Sequence, residues 1–139
     1  MKKVIKVIPN TSVNGVEFGI KREELRKKVG EPIDVFKKDI HDKIYTDGYN
    51  NSHVFYDDDY CFEALELFDL DELDIYYNDK KLSNKYSEIL EFFKSIFDDI
   101  EEDEAGFISE KGSVGIYIEN DDDEADSILF GKKNYYSEL

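Results

Sequence analysis

The sequence has little of what supports covalent or metal chemistry. Of its 139 residues, one is cysteine, two are histidine and none is tryptophan. A single cysteine, Cys61, excludes an intramolecular disulfide and fits a reducing compartment. One cysteine and two histidines give no zinc ligand set, so the sequence predicts neither a metal site nor a cofactor. Cys61 stands beside Phe62 in an apolar segment and is predicted to be a buried structural residue.

Long apolar runs are also missing. No run of about 18 apolar residues is present, which excludes a typical membrane-spanning helix. Near the N-terminus, Val4 and Ile5 are followed by Lys6, and the next apolar pair ends at Pro9. That stretch is too short and too interrupted for the core of a signal peptide. We therefore expect a cytoplasmic protein that binds no membrane.

Motifs for catalysis and phosphate binding are absent as well. Gly15 and Gly19 bracket Phe18, but neither a GxGxxG nor a GK[ST] motif follows. The acidic stretches that begin at Asp57 and Asp121 lack the glycine and glutamate positions of an EF-hand loop. The sequence predicts a protein that is not an enzyme. Divalent-cation binding by clustered carboxylates outside an EF-hand stays open as an alternative.

Negative charge dominates what is present. The net charge is −16, with 34 acidic against 18 basic residues. Residues 1–43 carry a small basic excess, whereas residues 98–126 hold 13 acidic residues and one base, Lys111. Such a field repels nucleic acid and attracts basic surfaces. Charge therefore predicts a basic protein as the partner and no nucleic acid. The competing interpretation is that the charge only keeps the protein soluble.

Two helices are predicted from the spacing of apolar residues, with short strands around them. A helix over residues 21–29 places Leu25 and Val29 on one face and ends at Gly30. A second helix has Ser83 at its N-cap and an apolar face with 3.6-residue spacing. That face consists of Leu82, Tyr86, Ile89, Leu90, Phe93, Ile96 and Phe97.

The order strand–helix–strand–strand occurs twice along the chain. Asn14 and Leu25 match Asn78 and Ile89 at the same offset of 64 residues. We expect an α+β fold in a single domain over residues 1–139, with a mainly antiparallel sheet and two amphipathic helices on one face. Pseudo-symmetric repeats are predicted at residues 14–68 and 78–130. The opposite face of the sheet is then open for binding, and the protein is expected to be a monomer or a weak dimer.

Acidic residues and tyrosines together predict the binding surface. In a repeat arrangement, the acidic turns are expected to gather at one end of the sheet. Carboxylates pair with lysine and arginine, and tyrosine rings add rigid contact area. The predicted partner-binding residues are Asp57, Asp58, Asp59, Tyr60, Asp98, Asp99, Glu101, Glu102, Asp103, Glu104, Tyr117, Asp121, Asp122, Asp123 and Glu124.

The segment at residues 14–32 resembles the opening of the β-lactamase-inhibitor-protein-like repeat. It departs from that pattern at Lys21, where the family commonly has a serine or threonine helix cap. The resemblance implies an α+β repeat. It is carried by Gly19, Leu25, Val29, Gly30 and Pro32.

The acidic chain as a whole, and residues 127–136 in particular, resemble the small immunity proteins of bacterial polymorphic and contact-dependent toxin systems. That resemblance implies a cytoplasmic, non-enzymatic inhibitor that binds a cognate toxin domain. The expected mechanism is occlusion of a basic active-site cleft, such as that of a nuclease, because a cleft that holds phosphate must be positive. The alternative is a DNA mimic that binds another nucleic-acid-binding protein.

Overall fold

The computed structural model describes residues 2–119 and 122–138, which contain thirteen β-strands and two α-helices. The first half comprises β1 (Lys3–Ile8), β2 (Ser12–Val13), β3 (Val16–Glu17), α1 (Arg22–Val29), β4 (Asp34–Phe36), β5 (Thr46–Gly48), β6 (Ser52–Tyr56) and β7 (Phe62–Phe68). The second half comprises β8 (Leu73–Tyr77), β9 (Lys80–Lys81), α2 (Tyr86–Ile96), β10 (Glu101–Asp103), β11 (Gly106–Ser109), β12 (Val114–Tyr117) and β13 (Ser127–Gly131). Short 3-10 helices follow β7 and β13, at Leu70–Glu72 and Tyr136–Glu138.

The strands form two sheets. The larger sheet has eight strands in the order β10-β11-β12-β13-β7-β6-β5-β4, and every neighbouring pair in it is antiparallel. The smaller sheet has five strands in the order β3-β2-β1-β8-β9, with β1 and β8 parallel. The expected α+β fold with a mainly antiparallel sheet is confirmed.

Both helices lie on the same face of the larger sheet, as predicted. Side chains alternate between the faces of a strand, and one row of cross-strand neighbours consists of Asp47, Val54, Leu65, Phe130, Val114 and Ser109, all buried. Arg26 of α1 bonds Asp47 in that row. Tyr86 of α2 bonds Glu102, whose neighbour Phe107 is in the same buried cluster as Leu65. We call this the inner face, and the opposite one the outer face.

The predicted end of the first helix is confirmed, and the predicted N-cap of the second is wrong. Helix α1 begins at Arg22 and ends before Gly30, whose φ of 94° is readily adopted by glycine. Helix α2 begins at Tyr86, so Ser83 is not its N-cap. The Ser83 hydroxyl instead accepts the Lys85 N–H and donates to Glu88. In the first turn of α2, the N–H of Ser87 donates to a carboxylate far along the chain, that of Asp123.

The same succession of elements occurs in both halves: a hairpin, a helix and four antiparallel strands. The hairpin turns have matching left-handed residues, with φ of 50° and 79° at Asn14 and Gly15, and 49° and 71° at Asn78 and Asp79. The order in the larger sheet also reads the same outward from the central pair, β7 and β13. The succession differs from the predicted one in having four strands after each helix.

Candidate protein-binding interface

The acidic turns lie at opposite ends of the larger sheet. In the central antiparallel pair, Ser127 lies beside Phe68 and Gly131 lies beside Ala64. The turn at residues 57–61 leads into β7, and the segment at 118–126 leads into β13. Antiparallel pairing of β7 and β13 therefore separates the two turns. The expectation that the acidic turns gather at one end is wrong.

Each end of the sheet holds a different subset of the predicted residues. Gly106 pairs with Tyr117, and the Ile118 N–H donates to the Ala105 carbonyl, which places the β10–β11 turn beside the segment that leads into β13. This end holds Asp103, Glu104, Tyr117, Asp122, Asp123 and Glu124. The other end holds Asp57, Asp58, Asp59, Tyr60, Asp98 and Asp99, and Glu101 and Glu102 lie between on β10. Asp121 lies outside the described residues.

Asp99 bonds groups of its own chain. Its carboxylate accepts the Ser109 hydroxyl at 2.7 Å and the Lys111 N–H at 2.8 Å. Partial burial acts to raise the pKa of Asp99, but these hydrogen bonds hold it below its ordinary value. Its neighbour Asp98 pairs with the Lys111 ammonium at 2.6 Å, which lowers the pKa of Asp98. Asp99 therefore closes the turn after β11.

Two more of the predicted residues hold their own loops. The Asp57 carboxylate accepts the N–H groups of Asp59 and Cys61, both at 2.9 Å, and so shapes the β6–β7 turn. Asp123 accepts the Ser87 hydroxyl at 2.6 Å and the Ser87 N–H at 2.9 Å, which lowers the pKa of Asp123. Asp123 thereby satisfies a free N–H in the first turn of α2. Cys61 is half-buried in the β6–β7 turn, so it is not the buried residue that was predicted.

Glu102 and Tyr60 also have partners within the chain. The Tyr86 hydroxyl donates to Glu102 at 3.0 Å on the inner face. Burial, together with this bond, raises the pKa of Tyr86 well above its ordinary value. The Tyr60 hydroxyl accepts the Tyr45 N–H, and the Arg22 guanidinium lies 4.4 Å from the centre of the Tyr60 ring.

The outer face of the larger sheet carries aromatic and acidic side chains and is covered by neither α1 nor α2. One row of cross-strand neighbours on it is Glu101, Ile108, Gly115, Leu129, Glu66, His53, Gly48 and Asp34. The His53 ring packs between Phe36 and Phe68, with centroid distances of 5.0 and 4.8 Å. Tyr117 is 45% exposed, and alternation along β12 places it on this face with Gly115.

The C-terminal segment packs onto the middle of the outer face. Tyr135 lies against Gly131, and the Tyr136 hydroxyl lies against Gly115, so a Cβ at either glycine would collide with the ring above it. Tyr135 joins Phe55 and Ala64 in a second buried cluster, separate from the main core. Burial raises the pKa of Tyr135 to about 12, with smaller contributions from Glu63 and Glu66.

A pocket lies on each side of this tyrosine pair. The lysine pocket, about 390 Å³, is bounded by Tyr135 and contains Lys38, Lys43 and Lys132 together with four carboxylates. These are Asp42, Asp57, Asp58 and Glu63. The acidic pocket, about 250 Å³, is bounded by Tyr136, Tyr117 and Leu129 and contains Glu66 and Asp103. Both pockets open on the outer face, one in each half of the sheet.

Clustered metal ligands are missing from the described part of the chain. Within residues 2–119 and 122–138, no group of three or more His, Cys, Asp or Glu side chains is placed to hold a metal ion. His53 Nδ1 lies 3.4 Å from Glu66, a pair packed among aromatic rings. The same described ranges contain no helix long and apolar enough to cross a membrane.

Comparison with protein-family models, with curated proteins and with solved structures finds no match to the chain. The resemblances at residues 14–32 and 127–136 therefore stay predictions. The outer-face residues Phe36, His53 and Glu66 were not among the predicted site residues. The available signal was the glycines that stand in β12 and β13, Gly115 and Gly131, because glycine in a strand often marks close approach of another group.

Proposed function

We propose that the chain is a non-enzymatic inhibitor that binds a basic protein through the outer face of its larger sheet. The observation that carries this proposal is an outer face with half-exposed aromatic rings beside carboxylates, on a chain with a net charge of −16. Large aromatic side chains supply most of the contact energy in protein interfaces. Carboxylates select a cationic partner and speed its approach.

The inner face supports the choice of the outer one. The helices, the smaller sheet and one buried cluster cover it, and Leu25 and Phe93 are at most 2% exposed there. A partner that used the inner face would have to displace this core. On the outer face, the C-terminal segment packs over Phe55 and Ala64, and Lys38 lies over the Phe55 ring, whereas neither α-helix covers this face.

A bacterial toxin domain is the partner class that we propose. The resemblance to immunity proteins suggests this class, and the charge agrees with it, since a toxin that cleaves nucleic acid needs a positive cleft. In this mechanism, the outer face covers the cleft and the carboxylates occupy the positions of substrate phosphates. A DNA mimic that binds another basic protein would use the same charge complementarity. The identity of the recovered partner distinguishes a toxin inhibitor from such a DNA mimic.

The test compares two charge reversals of the same residue type. Glu101 lies on the outer face beside Ile108, whereas Glu91 is exposed on α2. Three baits (wild type, Glu101→Lys and Glu91→Lys) are exposed to lysate of the source cells and washed at low salt and at about 1 M salt, where the Debye length is roughly 3 Å. We expect one basic protein to survive the salt wash on wild type and Glu91→Lys and to be lost from Glu101→Lys.

A functional readout completes this test. Co-expression of the recovered protein with wild type or Glu91→Lys should restore growth, and co-expression with Glu101→Lys should not. Recovery of only scattered basic proteins that leave all three baits at high salt would mean that the charge serves solubility, and the proposal would fail.

A further inference from the structure

Two glycines line the acidic pocket. Gly106 and Gly115 stand on adjacent strands and line it together with the side chains of Ile108, Tyr117 and Leu129. A Cβ at Gly106 would collide with the Ile116 backbone, and a Cβ at Gly115 would collide with the Tyr136 hydroxyl. Larger side chains, among them Tyr117, surround this floor. The result is a depression with aromatic walls.

The charge inside the pocket has one sign. Glu66 and Asp103 line it, and no lysine or arginine is among the described residues that do. The Glu66 side chain is 32% exposed, so its carboxylate is partly withdrawn from solvent. Burial raises the pKa of Tyr136, and the nearby Tyr135 and the Glu66 charge raise it further. Glu66 and Tyr136 both line the acidic pocket.

The lysine pocket has a different character. Its three lysines lie among four carboxylates, and one of them, Lys38, already sits 4.1 Å from the centre of the Phe55 ring. A cation that entered would meet cations already in place. Of these two outer-face pockets, the acidic pocket is the one whose lining favours a cation.

We propose that the acidic pocket binds an arginine side chain of the partner protein. The proposal rests on the function proposed above and names the contact that anchors it. A guanidinium is planar, so it stacks on Tyr117 or Tyr136 while it donates paired hydrogen bonds to Glu66 or Asp103. A lysine ammonium lacks the planar surface for stacking, and an anion is repelled by both carboxylates.

The test uses a small probe in place of the partner. N-acetyl-arginine amide is titrated into the labelled protein, and N-acetyl-citrulline amide serves as its neutral isostere. Amide resonances of Gly106, Gly115, Tyr117 and Ser127, all in the pocket lining, are followed by NMR. We expect saturable shifts with the arginine probe and binding about tenfold weaker with citrulline, the effect of one charge-assisted hydrogen bond.

Two conservative variants locate the site. Asp103→Asn keeps the Oδ1 atom that accepts the Ala105 N–H, and Glu66→Gln keeps the side-chain length, so both should fold. Each variant should lower the affinity for the arginine probe about tenfold, whereas Glu91→Gln on α2 should leave that affinity unchanged. Equal shifts from both probes, or shifts of the same size at Asp58 and Glu91 as in the pocket, would overturn the assignment.

The failure of this assignment can be told apart from failure of the proposed function. If Glu101→Lys loses the partner while the arginine probe gives no saturable shift, the arginine pocket is wrong and the outer-face function stands. If the probe binds but no salt-resistant basic partner is recovered, the pocket is a guanidinium site and the inhibitor function is wrong.

Discussion

The buried ion pair between Arg26 and Asp47 gives the sharpest prediction about stability. Asp47 on β5 is fully buried, and it accepts Nε and Nη2 of Arg26 at 3.0 and 2.7 Å. The Tyr56 hydroxyl donates to the same carboxylate at 2.7 Å. The hydrogen bond to Asp47 raises the pKa of Arg26 above its ordinary value. These bonds tie α1 to the larger sheet.

Removal of one charge leaves the other buried without its counter-ion. Arg26→Met leaves a fully buried carboxylate with one hydroxyl donor. Asp47→Leu leaves the guanidinium, 19% exposed, with only the longer 3.8 Å contact to the exposed carboxylate of Glu31. Each should lower the free energy of unfolding by about 3–5 kcal/mol. Against a total stability of about 5–15 kcal/mol, the variants should remain folded at low temperature.

The double and triple variants test the cause. Arg26→Met with Asp47→Leu removes both charges and should lose only about 1–3 kcal/mol, the cost of the unpaired Tyr56 hydroxyl. Addition of Tyr56→Phe should recover most of that loss. The coupling between Arg26 and Asp47 should therefore be at least about 3 kcal/mol.

Urea unfolding followed by circular dichroism at neutral pH measures these quantities. Lys111→Met is the matched control, since it breaks the exposed pair with Asp98 and should change stability less than either buried-pair variant. If the effects of Arg26→Met and Asp47→Leu simply add, or if neither exceeds about 1 kcal/mol, the reasoning on buried charge is refuted.

Two further predictions concern pH. Burial raises the pKa of Tyr77 and Tyr135 to about 12. As the pH rises, the unfolded chain therefore releases these protons before the folded chain does. The free energy of unfolding should fall by about 1.4 kcal/mol per tyrosine and per pH unit between about pH 10 and 12. Urea midpoints check this, and Tyr77→Phe, which removes a buried hydroxyl without a hydrogen-bond partner in the described structure, should flatten the slope without loss at neutral pH. Asp123→Ala should lower the melting temperature at neutral pH. Hydrogen bonds from Ser87 lower the pKa of Asp123, so the difference in melting temperature between wild type and this variant should vanish as the pH falls through that pKa. Asp122→Ala, which spares Ser87, is the control for thermal melts, and an equal loss in both would contradict the capping role of Asp123.

Local patterns predicted the helices because their information is local. The 3.6-residue spacing placed Ile89 and Phe93 on one face, and both are buried against the larger sheet. The twofold order of elements was also visible, because the turns at Asn14 and Asn78 need residues that tolerate a left-handed backbone. The prediction of Ser83 as the N-cap of α2 failed because the carboxylate that accepts a free N–H of its first turn, that of Asp123, lies far along the chain.

The prediction that the acidic turns gather at one end of the sheet failed because of the sheet topology. Equivalent turns of two repeats share an end only if the repeats are placed side by side in the same direction. Here β7 and β13 pair antiparallel, and no local pattern at residues 57–61 reveals which strand will lie beside them. The acidic pocket is also non-local, because its lining combines residues of β7, β11, β12 and β13 with Tyr136 of the C-terminal segment.

The acidic run at residues 98–104 illustrates how one stretch of charge serves both the fold and the surface. Asp99 bonds the fully buried Ser109, which occupies in the second half the inner-face position that Asp47 occupies in the first. Along β10, alternation sends Glu102 to Tyr86 on the inner face and leaves Glu101 and Asp103 on the outer one. A charge count therefore overstates the surface available to a partner. Substitutions at Asp99 or Glu102 should act on stability, and those at Glu101 or Asp103 on binding, so a series along this one run separates the two roles.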